Sequence, residues 1–543
     1  MSNKNIRSLS ARKGLKDNLF ENISRLAENK ASDQDFQELS RRFLIDDSVV
    51  AGTASFYDFT RQEERNKKIR VCNGTACMVA GTQGRVMEWV RKEFSSEEIG
   101  HVACVGHCHK NSAVMVNDRT YSLTSHEHLE KLLRDSNGKE ANQLSYDVVS
   151  NTTPILTGPV SDPVGFFKQA AQVWADPDQT LAELKDSALR GRGGAGFPFW
   201  FKLNAVKAEA GEEKFVVCNA DEGDPGAFSD MYLLEEQPLK VLYGMYAAGI
   251  VAGARTGVLY IRGEYPNSIR SIEQSISWLK ENKLLDDFEF KIIRGQGSYV
   301  CGEETALLSS IEGLRPEVRV RPPYPAQYGL YGKPTVLSNV ETFANIHWII
   351  ENGGKEYASL GTPQSTGTKL VSFDGFFKRP GIFELEMGTP LSEAVYEFGG
   401  GFNDRIKAIQ IGGPLGGIVP IGKIEDLSLD FESFDRAGFL LGHASFVSIP
   451  ENFPMIRFLE HLLKFTADES CGKCYPCRIG SHRGYELVRK AQNEDFRIDR
   501  QLFDDLIETL EIGSLCALGG GIPLPLKNAL THFESELNDY FKD

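Results

Sequence analysis

Eight of the ten cysteines in this 543-residue chain fall into two groups whose spacing suits metal ligation. The first group is Cys72-x4-Cys77 followed by Cys104-x3-Cys108. Two such pairs can converge on one site when each lies on a loop that follows a strand. Four thiolates suit zinc or an iron–sulfur cluster, because both prefer soft ligands. Structural zinc commonly uses tighter C-x2-C pairs, so this spacing favours a [2Fe–2S] centre.

The second group is Cys471-x2-Cys474-x2-Cys477, with Cys516 much further along the chain. Three cysteines at this spacing can surround one face of a cubane cluster, and a remote fourth cysteine can complete the ligand set. The pattern therefore predicts a [4Fe–4S] cluster, with zinc as the weaker alternative. The other two cysteines, Cys218 and Cys301, lie in separate segments, and we expect them to be packed in the interior rather than reactive.

A glycine-rich loop is the third feature with chemical potential. Residues 191–196 read GRGGAG and match G-x-G-x-x-G, but the preceding TLAELKDSAL is predicted to be a helix rather than the strand of a Rossmann fingerprint. Backbone amides and the cations Arg192 and Lys202 can hold phosphate, and the Phe197 ring can stack a nucleobase. An ordinary surface loop is the alternative.

Three further segments place acids, amides and aromatic residues beside predicted strands: Val216–Asp230, Ser298–Pro316 and Arg321–Thr342. Acidic runs are usually solvated, but these lie among apolar strand residues. That placement favours a pocket for a polar cofactor. Glu303 and Glu304 are expected at the start of a helix.

The composition narrows the class of protein. Hydrophobic residues make up 41% and charged residues 25%, which is typical of globular proteins. The net charge of −15 disfavours nucleic-acid binding. The longest apolar run, Val241 to Ala254, is too short to cross a bilayer and predicts a buried helix. The N-terminus lacks the apolar stretch of a signal peptide, so we expect a cytoplasmic protein with reduced cysteines.

The elements that must position these residues alternate in type along the chain. IRVC is predicted to be a strand and AVMVND with TYSL a hairpin; KFVVCNA, GVLYIRG and EFKIIRG are predicted strands of an α/β region. The predicted organisation is an N-terminal helical segment (1–60), a [2Fe–2S] domain (61–135), a linker (136–160), a cofactor-binding α/β domain (161–360), a small β-rich domain (361–445) and a helical [4Fe–4S] domain (446–543).

The motifs GRGGAGFP, CNADE-x-x-PG, CGEETALL, GKPT-x-x-x-NVET and ES-C-x2-C-x2-C-R together resemble the NADH-binding flavoprotein subunit of respiratory complex I. They also resemble its diaphorase relatives in NAD-linked hydrogenases, formate dehydrogenases and electron-bifurcating hydrogenases, over roughly residues 150–543. VAGTASFYDF, VCNGTAC and CVGHC resemble the thioredoxin-like [2Fe–2S] subunit, here fused to the flavoprotein. The resemblance implies a multidomain α/β protein with thioredoxin-like, Rossmann-like FMN/NADH, β-grasp and helical [4Fe–4S] domains.

The resemblance also implies roles for individual residues. FMN phosphate and the nucleotide would be held by Gly191, Arg192, Gly193, Gly194, Gly196 and Lys202. The isoalloxazine would lie along Asn219, Asp221, Glu222, Tyr299, Gly302, Glu303, Ser338 and Asn339. The NADH side would be lined by Phe197, Asp224, Glu304, Arg321 and Tyr324. The sequence departs from the family pattern at Asp224, where Glu is usual, and at Ser338, where Asn is common.

The implied activity is that of an NADH:acceptor oxidoreductase, a diaphorase, working in either direction between NAD(H) and a partner. The reaction is cofactor-based, so no side chain is assigned as a general acid or base. The expected partners are other subunits of a hydrogenase, formate dehydrogenase or complex I-like assembly, including a further iron–sulfur subunit; no nucleic acid and no membrane span are expected. An electron-bifurcating flavin subunit and a non-enzymatic zinc-bound scaffold are the alternatives.

Overall fold

A computed structural model describes residues 14–134 and 146–542. Three short helices come first, with N-caps at Asn18, Ser32 and Asp46. Phe20 of the first helix packs in an apolar cluster of the α/β region. Tyr57, which follows the third helix, joins the same cluster, and its hydroxyl lies 2.8 Å from Oγ of Ser310. The helices are Leu19–Glu28, Asp33–Phe43 and Asp47–Ala54.

A four-stranded sheet carries the first cysteine group. Its order is Ile99–Val102, Ile69–Cys72, Ala113–Val116 and Arg119–Ser122. The first two strands are parallel, and the last two form the antiparallel hairpin that the sequence predicts. The associated helices are Thr75–Val79, Gln83–Glu93 and His126–Arg134.

A second four-stranded sheet is parallel throughout, in the order Glu289–Arg294, Thr256–Ile261, Phe215–Ala220 and Thr335–Asn339. The three strands that the sequence predicts in this region are confirmed. Because parallel strands end at the same edge, the residues that follow them are brought together. The helices around this sheet are Pro163–Lys168, Ala170–Ala175, Pro177–Asp186, Phe199–Ala208, Ser229–Glu236, Pro238–Ala252, Pro266–Glu281, Glu304–Ile311, Pro325–Tyr328, Val340–Asn352 and Gly354–Ala358.

The apolar run of the sequence forms helix Pro238–Ala252, which is almost entirely buried, as predicted. Among residues 14–134 and 146–542, no helix combines the length and apolar character that crossing a bilayer requires.

A mixed six-stranded sheet follows in the order Gly417–Pro420, Ile406–Ile411, Ser445–Pro450, Thr368–Phe373, Gly381–Glu386 and Asp147–Ser150. Its last strand lies within the segment for which the sequence predicts a linker. That strand pairs in parallel with Gly381–Glu386, because its backbone completes the edge of the sheet. Short helices at Leu391–Glu393 and Phe431–Arg436 cover the sheet.

The C-terminal region is helical, and its amphipathic helices bury one face each. The segment Pro476–Gly480 lies between the first two long helices and carries Cys477. Strands Ile498–Asp499 and Phe541–Lys542 pair in parallel. The helices are Met455–Asp468, Ser481–Asn493, Arg500–Gly513, Ala517–Gly521, Pro523–His532 and Glu534–Leu537.

Candidate functional site

The glycine-rich loop lies against the N-terminus of helix Val340–Asn352. The amide of Arg192 donates to Oγ1 of Thr342 at 2.9 Å, and a Cβ added to Gly193 would lie 3.0 Å from Cβ of Asn339. Gly194 has a φ of +115°, which a larger residue adopts only with strain. The loop therefore lies at the N-terminus of a helix, a position that suits a phosphate.

The Arg192 side chain is directed into the protein. Its guanidinium is fully buried and donates to the Tyr357 hydroxyl at 3.1 Å and the Thr366 carbonyl at 2.6 Å. Nε and Nη1 of Arg192 find no hydrogen-bond partner among the described residues. The resemblance places Arg192 at the FMN phosphate. The observed contacts of its guanidinium instead hold the loop to Tyr357 and Thr366.

Charged residues expected on the NADH side converge on one carboxylate. Glu304 lies between two cations, with Lys202 Nζ 3.2 Å from its Oε2 and Arg321 Nη1 2.7 Å from its Oε1. Phe197 is exposed, and its ring centroid lies 5.9 Å from Lys202 Nζ. Tyr324 is also exposed and precedes helix Pro325–Tyr328. This edge therefore offers cations, an acid and an accessible aromatic face to a nucleotide.

The amide of Asn219 connects two of the loops expected along the isoalloxazine. Its Nδ2 donates to the Gly302 carbonyl at 2.7 Å, and its Oδ1 accepts from the amide of Asp221 at 3.2 Å. Burial raises the pKa of Asp221 well above its usual range. Glu303 accepts from the amides of Thr305 and Ala306, so it caps helix Glu304–Ile311 as its predicted position at a helix start requires.

The buried carboxylate of Glu222 binds the first turn of helix Ser229–Glu236. Its carboxylate accepts from the amides of Asp230 and Met231 at 3.0 and 3.1 Å and from the Tyr265 hydroxyl at 3.1 Å. Burial is the main reason that the pKa of Glu222 is raised to about 7. Ser338 is buried in strand Thr335–Asn339.

The cysteines of the first group come together in the interior. Cys72 ends its strand, Cys77 lies in the following helix, and Sγ of Cys104 lies 3.6 Å from Sγ of Cys108. Hydrogen bonds from Cys104 and then Cys77, together with burial, raise the pKa of Cys72 well above its usual range. All four thiols are buried, and Cys72 contacts Cys77 and Cys104 while Cys104 contacts Cys108. This arrangement fits one cluster with four thiolate ligands.

The cysteines of the second group also converge. Cys474, Cys477 and Cys516 pack in one apolar cluster, and Cys516 also packs in the cluster that contains Cys471. The amide of Leu515 lies 3.4 Å from Sγ of Cys474. The end of helix Arg500–Gly513 thus brings the remote fourth cysteine to the other three.

Arg262 joins the first cysteine group to the acids of the parallel sheet. Its Nη2 lies 2.7 Å from the Cys104 carbonyl and 2.8 Å from Oε1 of Glu264, and its Nη1 contacts the Glu222 carbonyl. Arg262 is not among the residues predicted from the sequence. The available signal was an arginine directly after the apolar strand Thr256–Ile261, at the edge where functional residues gather.

Comparisons with known proteins match each of these regions. Residues 20–137 match the family described as thioredoxin-like [2Fe-2S] ferredoxin, residues 184–348 the Nuo51 FMN-binding domain, and residues 457–540 the NADH-ubiquinone oxidoreductase-F iron-sulfur binding region. The F 2 subunit of NADH-quinone oxidoreductase of Rhizobium meliloti is 39% identical over 66% of this chain and 88% of its own. The chain belongs to the family of complex I-type NADH-binding flavoprotein subunits.

Hydrogenase members of this flavoprotein family are similar over a longer span. The NAD-reducing hydrogenase HoxS subunit alpha of Cupriavidus necator is 32% identical over 89% of this chain and 85% of its own. The NADP-reducing hydrogenase subunit HndC of Solidesulfovibrio fructosivorans is 40% identical over 70% and 79%. A chain in the crystal structure of air-oxidized NAD+-reducing [NiFe]-hydrogenase superposes with a TM-score of 0.87 and 28% identity, covering 99% of this chain and 94% of that one.

These matches confirm the predicted family and the multidomain α/β fold. They also confirm an NAD(H)-dependent flavin and iron–sulfur oxidoreductase with FMN, [2Fe–2S] and [4Fe–4S] as its cofactors. The roles of individual side chains and the limits of the domains remain predictions.

Proposed function

We propose that this flavoprotein oxidises NADH at the glycine-loop edge and passes single electrons through its C-terminal [4Fe–4S] cluster to a further iron–sulfur subunit. FMN, when bound, supplies the conversion between a hydride donor and one-electron carriers. The chain's own contribution is to hold and orient the nucleotide, the flavin and the two clusters close together.

Tyr299 carries this proposal, because it connects the nucleotide side to the second cysteine group. Its hydroxyl donates to Oδ1 of Asp224 at 2.7 Å, and its amide donates to Oε2 of Glu469, just before Cys471, at 2.8 Å. Its ring lies 4.8 Å from that of Phe465, in the apolar cluster that also contains Cys477. One residue thus spans the distance from a nucleotide-side acid to the thiolate ligands.

We assign the residues in three groups. The glycine loop, with Lys202, would hold phosphate groups, while Glu304 and Arg321 would bind the NADH ribose and phosphates. Asn219, Asp221 and Tyr299 would lie along the flavin ring. The cluster ligands would be Cys72, Cys77, Cys104 and Cys108 for [2Fe–2S], and Cys471, Cys474, Cys477 and Cys516 for [4Fe–4S].

A partner subunit would dock where apolar side chains surround the [4Fe–4S] ligands. Tyr475 and Ile512 are 77% and 76% exposed, and Ile479 and Leu515 are 48% and 43% exposed. Exposed apolar side chains concentrated around one site are typical of an interface. The hydrogenase and quinone-oxidoreductase names of the relatives support a partner of the same kind, within a hydrogenase, formate dehydrogenase or complex I-like assembly. All ten cysteines lie among the described residues and none forms a disulfide, which supports a cytoplasmic location.

The activity is tested on the full chain purified without oxygen. We expect one FMN, both clusters by iron and acid-labile sulfide analysis, and NADH-dependent reduction of a viologen dye. Zinc in place of iron, or a chain without flavin, would contradict the proposal.

The docking surface is tested separately with Tyr475→Asp and Ile512→Asp. Both variants should keep viologen reduction, and neither should co-purify with the partner iron–sulfur protein when isolated in the native source. Leu44→Asp, an exposed leucine on the N-terminal helices, is the matched control. Retained co-purification by both variants would place the partner elsewhere.

A further inference from the structure

His443 lies directly before a strand of the six-stranded sheet and close to the glycine loop. It stands between Gly442 and Ala444, whose φ angles of +55° and +59° form a tight left-handed turn before strand Ser445–Pro450. Its amide nitrogen lies 3.9 Å from the position that a Cβ on Gly194 would take. The side chain is only 7% exposed. No motif in the sequence marks His443.

The imidazole of His443 lies between two carboxylates. Its Nε2 is 3.3 Å from Oδ2 of Asp230, and its Nδ1 is 3.7 Å from Oε1 of Glu222 and 3.4 Å from Oγ of Ser229. Burial lowers the pKa of His443, but the charge and hydrogen bond of Asp230 and the charge of Glu222 outweigh it and raise the pKa to about 9. The ring is therefore a cation at neutral pH.

Asp230 connects this cation to the loop. Its Oδ2 accepts from Nδ2 of Asn339 at 2.6 Å, and Oδ1 of Asn339 accepts from the amide of Glu341 at 2.9 Å, capping helix Val340–Asn352. Gly193 packs directly on the Asn339 side chain. The order of contacts is thus His443, Asp230, Asn339 and the glycine loop.

Other charges surround this group. Lys369, on strand Thr368–Phe373, is fully buried and ion-paired with Glu341 of helix Val340–Asn352, and it opposes protonation of His443. Burial raises the pKa of Asp224, on the loop before helix Ser229–Glu236, and the Tyr299 hydrogen bond and the His443 charge only partly offset that rise. Lys369 is already neutralised by Glu341, which leaves His443 as the cation that faces Asp230 and Glu222.

We propose that His443 is a positioning residue of the flavin site, a buried cation that balances Asp230 and Glu222 and so lets the loop above them hold an anionic phosphate. Two uncompensated carboxylates beneath an anion site would repel the ligand and each other. The inference rests on the proposed function, because that proposal assigns the loop to FMN.

The test measures the FMN dissociation constant of flavin-depleted full-length chain by flavin fluorescence at pH 7.5. His443→Gln should weaken FMN binding by about tenfold or more, since it removes one partner of a buried charge group. Adding Asp230→Asn to that variant should restore most of the affinity, because it removes one of the unbalanced charges. His482→Gln, an exposed histidine, is the control and should change nothing. Iron content and circular dichroism report the integrity of each variant.

The pH dependence gives a second readout. A raised histidine pKa means that the cation is present below about pH 9 and is lost above it, so the affinity ratio of wild type to His443→Gln should fall toward one between pH 8 and 10. Glu222, with a pKa raised to about 7, stays ionised over that range. Should His443→Gln fail to fold, Asp230→Asn alone should reduce the loss of FMN affinity between pH 8 and 10, because the His443 cation then has one carboxylate fewer to balance.

Three results would overturn the inference: equal FMN affinity of wild type and His443→Gln, weakened binding that neither Asp230→Asn nor alkaline pH affects, or a loss of FMN affinity between pH 8 and 10 that is as large in Asp230→Asn alone as in the wild type. The second result would mean that the ring only fills space. A wild-type chain that fails to bind FMN would instead overturn the proposed function.

Discussion

The amide of Gly226 donates a hydrogen bond to Sγ of Cys108, with the two atoms 3.2 Å apart. Gly226 follows Asp221, Glu222 and Asp224 at the edge of the parallel sheet, whereas Cys108 lies in the turn between strands Ile99–Val102 and Ala113–Val116 of the first four-stranded sheet. The loop expected along the flavin therefore directly contacts the sulfur of a cysteine that we assign as a ligand of the [2Fe–2S] cluster. Amide donors to a ligand sulfur tune the potential of an iron–sulfur cluster.

Gly226→Ala should disturb the [2Fe–2S] cluster while sparing the [4Fe–4S] cluster. The φ of Gly226 is +105°, and an added Cβ would lie 2.4 Å from Cγ2 of Val447, so the loop must shift and the amide must leave Cys108. Low-temperature EPR of the reduced protein should show the [2Fe–2S] signal shifted or lost. Gly253→Ala, at a φ of +75° with open space around it, controls for strain alone. An unchanged [2Fe–2S] spectrum would contradict this prediction.

Replacing one cysteine from each group should separate the two clusters by function. Cys474→Ala should leave the bound flavin able to bleach with NADH in a single turnover but should greatly slow steady viologen reduction, because the exit cluster is lost. Cys77→Ala should abolish the [2Fe–2S] EPR signal and keep most dye reduction. Stopped-flow absorbance and steady-state rates measure the two effects, with flavin content and circular dichroism checked in each variant. Wild-type turnover by Cys474→Ala would show that the dye takes electrons from the flavin site itself.

Lys202→Ala should lose FMN while retaining both clusters. Lys202 lies on helix Phe199–Ala208, which follows the glycine loop, and its Nζ is held by Glu304 and the Leu337 carbonyl. Loss of a charge-assisted contact to phosphate costs about 1.5–3 kcal/mol, which corresponds to a roughly tenfold or larger fall in affinity. Lys207→Ala, on the same helix and paired with Asp178, is the matched control. Full flavin occupancy in Lys202→Ala would remove this lysine from the site.

The chain should prefer NADH to NADPH because of the acids on the nucleotide side. With the proposed assignment, Glu304 and Asp224 would add negative charge on the nucleotide side and disfavour the extra 2′-phosphate of NADPH, much as the ribose-binding acid favours NAD in other dinucleotide sites. Glu304→Gln should therefore narrow the ratio of kcat/KM values for NADH and NADPH by about tenfold. One relative is named as an NADP-reducing hydrogenase subunit, so the ratio of kcat/KM for NADH and NADPH distinguishes the two nucleotide preferences within the family. Equal rates of the wild-type chain with the two nucleotides would contradict the role given to these acids.

Local patterns determined much of this protein from the sequence. The strands Phe215–Ala220 and Thr256–Ile261 and the helix cap at Glu303 follow from apolar runs and capping chemistry, which act over a few residues. The cysteine spacing likewise predicts two thiolate sites, because ligand geometry limits how far apart neighbouring ligands stand.

The tertiary structure decided where the side chains between those elements point. Arg192 looks like a phosphate ligand by type, but its guanidinium turns inward to Tyr357 and Thr366; Glu222 turns onto helix Ser229–Glu236. Cys108 and Gly226 meet across 118 residues of chain, and His443 and Asp230 across 213. Such contacts depend on how separate sheets pack against each other, and no local pattern of residue types encodes that packing.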